Sequence, residues 1–127
     1  MPHAYEWTVL RAVPRVERCE FVNVGAVVYC QATDFLAARV TDDLHRVSAF
    51  APGTDLEGLA DHLEAVRALC AGEPAAGENG RRPPGDRFRW LVAPRSTMVQ
   101  CSPVHTGLTD DPAAELAALF HRMVELP

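Results

Sequence analysis

Glu20-Phe21-Val22-Asn23-Val24-Gly25-Ala26-Val27-Val28-Tyr29 is the stretch whose reading decides the fold. Its β-branched and aromatic residues predict a strand, and its second half is apolar on both faces, so the strand belongs in the middle of a sheet. One acid, one amide and one glycine stand where a buried strand would carry apolar side chains. A polar group left unpaired inside a protein costs about 1–3 kcal/mol. Glu20 and Asn23 must therefore meet partners, either in a network that specifies the fold or on a functional surface. Strict alternation puts Asn23 on one face with Phe21 and Gly25, and Glu20 on the other with Val22 and Val24. Glycine inside a strand marks a bulge, the close approach of another backbone, or a ligand.

Upstream, Tyr5 to Val13 alternates, with Tyr5, Trp7 and Val9 on one face and Thr8, Leu10 and Ala12 on the other. Pro14 ends that strand, and Arg15-Val16-Glu17-Arg18 makes a polar turn. Downstream, Gln31-Ala32-Thr33-Asp34 leads into a third strand over Phe35 to Thr41, completing an antiparallel meander. The period then changes. Asp42 is placed to cap a short helix carrying Leu44, Val47 and Phe50, and Pro52-Gly53 breaks the chain. Thr54-Asp55-Leu56-Glu57 reads as a capping box for a longer helix with Leu56, Leu59, Leu63, Val66 and Cys70 on one side, stopped by Gly72.

Residues 73–86 are rich in proline, glycine and charge, a composition that predicts a flexible insert. Phe88 to Val92 fits a strand or a helical turn, and Asp86 in the capping position favours a short helix over 87–92. Thr97 to Val104 alternates as a fourth strand, and His105 to Thr109 reads as a loop. Asp111-Pro112 opens a last helix with an apolar stripe of Leu116, Leu119, Phe120, Met123 and Val124. The expected architecture is one α+β domain over residues 1–127. It is a small antiparallel sheet of about four strands, meander first, with two main helices packed on one face and short helical turns besides.

The 127 residues contain no apolar run near the ~20 needed to cross a bilayer. Met1 to Trp7 lacks the regions of a signal peptide, so a cytoplasmic location without membrane attachment is expected. Cys19, Cys30, Cys70 and Cys101 form no Cys-x-x-Cys pair. Cys101 and His105 would supply only two of the four ligands of a structural zinc site, and neither a metal nor a cofactor is expected. No glycine-rich phosphate loop or dinucleotide fingerprint is present. All twelve basic residues are arginine and the net charge is −5, which argues against a nucleic-acid partner. The charge is segregated: residues 54–79 carry six acids and one arginine, whereas residues 80–107 carry five arginines and one aspartate. The basic stretch could meet an acidic partner or a phosphate.

Arg11 and Arg39 lie on the strands flanking the opening motif, where they could meet Glu20 or Asn23, or line an anion pocket beside Arg95, Ser96 and Gln100. The candidate binding set is therefore Arg11, Glu20, Asn23, Gly25, Arg39, Arg95, Ser96 and Gln100. Ser96, Ser102 or Cys101 with His105 are the available nucleophile–base combinations, but none sits in a Gly-x-Ser-x-Gly turn, and no catalytic residue is assigned.

Two groups of motifs carry a family resemblance. Val9-Leu10-Arg11-Ala12-Val13-Pro14 with Arg18-Cys19-Glu20-Phe21-Val22-Asn23-Val24-Gly25 resembles the N-terminal signature of the bacterial DUF3037 family. Arg95-Ser96-Thr97, Gln100-Cys101-Ser102-Pro103 and Thr106-Gly107-Leu108-Thr109-Asp110-Asp111-Pro112 resemble its C-terminal signature. The resemblance covers nearly the whole chain apart from the insert at 73–86. It implies no catalytic residue, because the family's function is unknown. It does imply a partner, since similar proteins tend to be encoded beside kinases of the HipA type.

Two functional expectations follow. One is a non-catalytic accessory protein that docks on such a kinase, or another protein, through the sheet face or the basic segment 81–95. The other is an enzyme that binds a small molecule or anion with Arg11, Glu20, Asn23 and Arg39. Edge strands and an exposed Trp7 or Trp90 could also support a homodimer.

Overall fold

Alternating apolar residues in the first third of the chain form three antiparallel strands: β1 (His3–Ala12), β2 (Val22–Cys30) and β3 (Phe35–Val40). The computed structural model of the protein describes residues 1–125. β2 lies between β1 and β3, as its doubly apolar second half requires. Glu20 falls outside the strand, on the exposed approach to it.

On its other side β1 takes two short strands in succession. Its residues His3–Trp7 pair with β5 (His105–Thr109), and Leu10–Ala12 pair with β4 (Val99–Cys101). β5 occupies residues expected to form a loop. Proline cannot donate to a ladder, so Pro103 interrupts pairing and the chain rejoins β1 further along. The handover falls at Thr8 and Val9, and Ser102 bridges it. The Ser102 amide donates to the Val9 carbonyl at 2.8 Å, while its hydroxyl accepts from the Val9 amide at 2.8 Å. Thr8 Oγ1 donates to the Ser102 carbonyl at 2.8 Å. Thr8 and Ser102 are both buried, so the strand break leaves these backbone groups paired.

Among the described residues four α-helices complete the fold: α1 (His45–Phe50), α2 (Leu56–Ala71), α3 (Pro84–Val92) and α4 (Pro112–Met123). The two main helices, α2 and α4, do not share a face as expected. Leu59, Leu63, Val66 and Leu69 of α2 pack with Leu10, Val22, Val24 and Val27 and with Phe88 and Leu91 of α3. Leu116 and Leu119 of α4 pack with Tyr5, Ala26, Val28 and Cys30. A central strand that is apolar on both sides needs cover on both sides, and the helices divide accordingly.

The division depends on a bulge in β2. Leu10 pairs with Gly25 but Arg11 pairs with Asn23, so Val24 is an extra residue opposite β1. Strict alternation is broken there, correcting the face assignment made from sequence. Val22, Val24 and Val27 all reach the α2 side. Asn23 shares the α4 side with Ala26 and Val28 and not with Gly25. Gly25 fits the bulge because a Cβ there would stand 2.9 Å from the Arg39 carbonyl oxygen and 2.9 Å from Leu10 Cδ1.

Local signals at the helix ends held in part. Asp111 caps α4, accepting from the Ala114 amide at 3.1 Å, with Pro112 first in the helix. Gly72 ends α2 at φ 70°. At the start of α2 the cap is Asp55, which accepts from the Gly58 amide at 3.0 Å, whereas Thr54 donates to the Ala51 carbonyl. Asp43, not Asp42, accepts from the His45 amide at the start of α1. α3 does form over the ambiguous segment, but it begins at Pro84, so Asp86 is a first-turn acid favoured by the helix dipole and not a cap. The segment expected to be a flexible insert is folded into 3-10 turns over Pro74–Arg81, with a kink at Gly77, before α3 begins.

Replacing Gly25 with alanine forces its new methyl against β3 backbone, which cannot rotate aside. Overpacking of this kind costs about 1–3 kcal/mol. Urea denaturation of Gly25→Ala should show a loss in that range with the m-value unchanged, and parental stability would show that β3 yields at this point.

Candidate functional site

The residues singled out from the sequence do not converge. Asn23 Nδ2 donates to the Met123 carbonyl at 3.1 Å and, with Arg46 Nη1 on the Val124 carbonyl at 3.0 Å, closes the C-terminal end of α4. Arg39 is exposed, with its guanidinium 4.5 Å from the centre of the Phe120 ring. Arg11 lies over Phe21 at 4.0 Å, and its buried Nε has no hydrogen-bond partner among the described residues. Glu20 pairs with Arg18 on the surface, which holds its carboxyl below the usual range. Neither arginine of the expected Arg11–Glu20–Asn23–Arg39 cluster meets that carboxylate. Gly25 is accounted for by the bulge, and Ser96 is exposed.

The nucleophile–base combinations dissolve in the same way. Ser102 is committed to Thr8 and Val9, and the His105 ring stacks on Trp7 with centroids 4.4 Å apart. Cys101 Sγ donates to the Leu91 carbonyl at 3.6 Å. No group of three or more potential metal ligands comes together among the described residues.

Arg95 and Gln100 do meet, in a cleft of about 220 Å³ lined by α2, the Pro74–Arg81 turns, α3 and β4. The apolar stripe of α2 points Leu59 and Leu63 into the core, while His62, Ala65, Val66 and Leu69 line the cleft. The left-handed Gly72 then turns the chain back. Arg67 fixes the return, its Nη1 and Nη2 donating to Glu73 at 3.0 and 2.9 Å while Nη2 and Nε also reach Glu64. Gly80 is buried where a Cβ would lie 2.8 Å from Ala76 Cβ, and this close fit presents Ala75, Ala76 and Asn79 as one wall. Trp90 and Leu91 form another wall, and Val99 and Cys101 line the β4 side. Sequence reasoning missed this cleft because it treated the Pro- and Gly-rich segment as mobile. The available signal was Arg67 six residues before Glu73, with a glycine between them to reverse the chain.

The electrostatics of the cleft are simple. Burial, aided by the nearby Arg95 charge, pushes the His62 imidazole below its usual range, and burial raises the Cys101 thiol. Both groups therefore favour their neutral forms, and Arg95 is the one permanent charge lining the cleft among the described residues. Its guanidinium lies 4.3 Å from the Trp90 ring centre, with Nη2 on the Trp90 carbonyl and Nε on the Ala93 carbonyl at 3.3 Å. Gln100 Nε2 donates to the Thr97 carbonyl at 3.0 Å.

A protein-family model described as "Protein of unknown function (DUF3037)" matches residues 7–124, from β1 through α4 and across every wall of the cleft. The chain belongs to the DUF3037 family. No curated protein and no solved structure matches it. None of the described helices in this DUF3037 protein is long and apolar enough to cross a membrane.

The cysteine environments give a direct test of this arrangement. Cys19 is exposed, Cys30 and Cys70 are buried, and burial pushes the Cys70 thiol up to about 12. The thiolate is the reactive form. At pH 8, Ellman's reagent should titrate Cys19 rapidly in the native protein, with Cys101 much slower and the two buried thiols reacting only on unfolding. A fast reaction at Cys101 would contradict a partly closed, neutral cleft.

Proposed function

We propose that this DUF3037 protein is a non-catalytic interaction domain that docks on another protein through the open end of its sheet at β5. The observation that carries this reading is Leu108, a large apolar side chain 68% exposed on an edge strand. β5 pairs with β1 alone among the described residues, so its outer backbone edge is open. Leu108 pairs with Ala4 and Thr106 with Glu6, making a small platform next to that edge, and Val104 is exposed just before it. An extended segment of a partner gains main-chain hydrogen bonds on such an edge and takes its specificity from alternate side chains.

The basic segment 81–95 is a poorer docking surface than its charge suggested. Arg87 donates to the Leu69, Cys70 and Arg82 carbonyls, Arg89 pairs with Glu6 at 2.8 Å, and Arg95 is held on Trp90. Arg81 and Arg82 are left exposed. The partner proposed is a HipA-type kinase, supported by the gene company that the family resemblance implies.

Co-expression with a HipA-type kinase from the same genome tests this reading. The kinase should co-purify with the parent protein, and Leu108→Lys should cut its recovery at least tenfold while leaving thermal unfolding unchanged. Undiminished recovery with Leu108→Lys would reject the β5 surface. Light scattering on both proteins separates a kinase-docking edge from one used for self-association, where the charge would dissolve a dimer instead.

A further inference from the structure

The cleft beside β4 is independent of the β5 edge and has a chemistry of its own. We propose that it binds a small apolar monoanion, a carboxylate carried on a single ring or short hydrocarbon chain, with Arg95 holding the carboxylate and the α2, α3 and Pro74–Arg81 walls enclosing the apolar part. Size sets the first limit. A dry apolar cavity of about 150 Å³ takes benzene. A cleft of about 220 Å³ therefore suits a ring with a short arm.

Charge sets the second limit. Arg95 belongs to none of the ion pairs among the described residues. Its Nε and Nη2 serve backbone carbonyls at the end of α3, a capping role that accounts for two of its three nitrogens. Nη1 makes no hydrogen bond among the described residues and remains available for an acceptor. A guanidinium beside a low-dielectric wall attracts an anion more strongly than one in open water, and a planar carboxylate suits its geometry. Asn79 lies across the cleft with an amide that can donate to a second ligand oxygen.

The lining also excludes other ligand classes. A hydrated inorganic anion would gain nothing from Val66, Leu69, Leu91 and Val99. A polyphosphate needs more than the single permanent cation that the described residues place in the cleft. A cation would meet Arg95 with no carboxylate to offset it, because no acidic residue among those described lines the cleft.

Phenylacetate is a suitable probe, with 2-phenylethanol as its uncharged counterpart. In an indole-resolved NMR titration, phenylacetate should shift the Trp90 indole N–H saturably and leave that of Trp7, stacked on His105 outside the cleft, in place. 2-Phenylethanol should bind at least tenfold more weakly. Arg95→Gln should bring phenylacetate down to the affinity of the alcohol, Arg95→Lys should recover part of the difference, and Ala65→Leu should abolish both by filling the cleft. The Arg95→Lys variant guards against a loss caused only by fraying of α3. The proposal fails if phenylacetate leaves Trp90 unmoved, if the alcohol binds equally well, or if Arg95→Gln matches the parent.

Discussion

The inserted residue at Val24 decides which side chains of the central strand face which helix. Before the bulge, Val22 and Val24 look toward α2; after it, Val27 does, although an unbroken strand would have turned Val27 the other way. The same phase change gives Ala26, Val28 and Cys30 to α4. Without it Val27 would face α4 while Ala26, Val28 and Cys30 faced α2, and each helix would meet side chains of the wrong size, a mismatch that costs about 1–3 kcal/mol where it overpacks. The β-bulge also determines that the next residue is glycine, because β3 and Leu10 close in at that point.

The elements legible in the sequence were those whose cause is local. Alternation placed β1, β2 and β3, the proline and aspartate at 111–112 placed the start of α4, and Gly72 placed the end of α2. Features that depend on distant contacts were not legible. β5 has only five residues and forms because β1 is already there to receive it. Period alone could not say that α2 and α4 take opposite faces, since an amphipathic helix reports only that it has an apolar side. Glu20 looked buried because it adjoins a buried strand, yet the strand starts two residues later at Val22.

The candidate site shows the same separation. Arg95 and Gln100 were singled out and do line a cleft, but they were grouped with Arg11, Glu20 and Asn23, which are occupied elsewhere. What the sequence concealed was the wall. Ala75, Ala76 and Asn79 carry no chemical signature, and their segment has the composition of a mobile loop. Arg67 and Glu73 counteract that tendency, a clamp that is partly exposed and thus modest in energy, while the buried Gly80 supplies the fit. The polar residues of the opening strand serve the fold: Asn23 completes the end of a helix one hundred positions away in sequence.

That long reach has a consequence for the order in which the molecule can be made. Translation delivers the chain from its N-terminus at about 5–20 residues per second, so β1, β2 and β3 emerge well before the last helix. Until α4 arrives, the Asn23 amide has no Met123 carbonyl to meet, Arg46 has no Val124, and Ala26, Val28 and Cys30 lack their cover. The nascent meander is therefore a half-covered sheet with α2 and α3 able to dock on one side and the other side wet. The hydrogen bonds at the end of α4 act as a latch that closes only after α4 itself has left the ribosome.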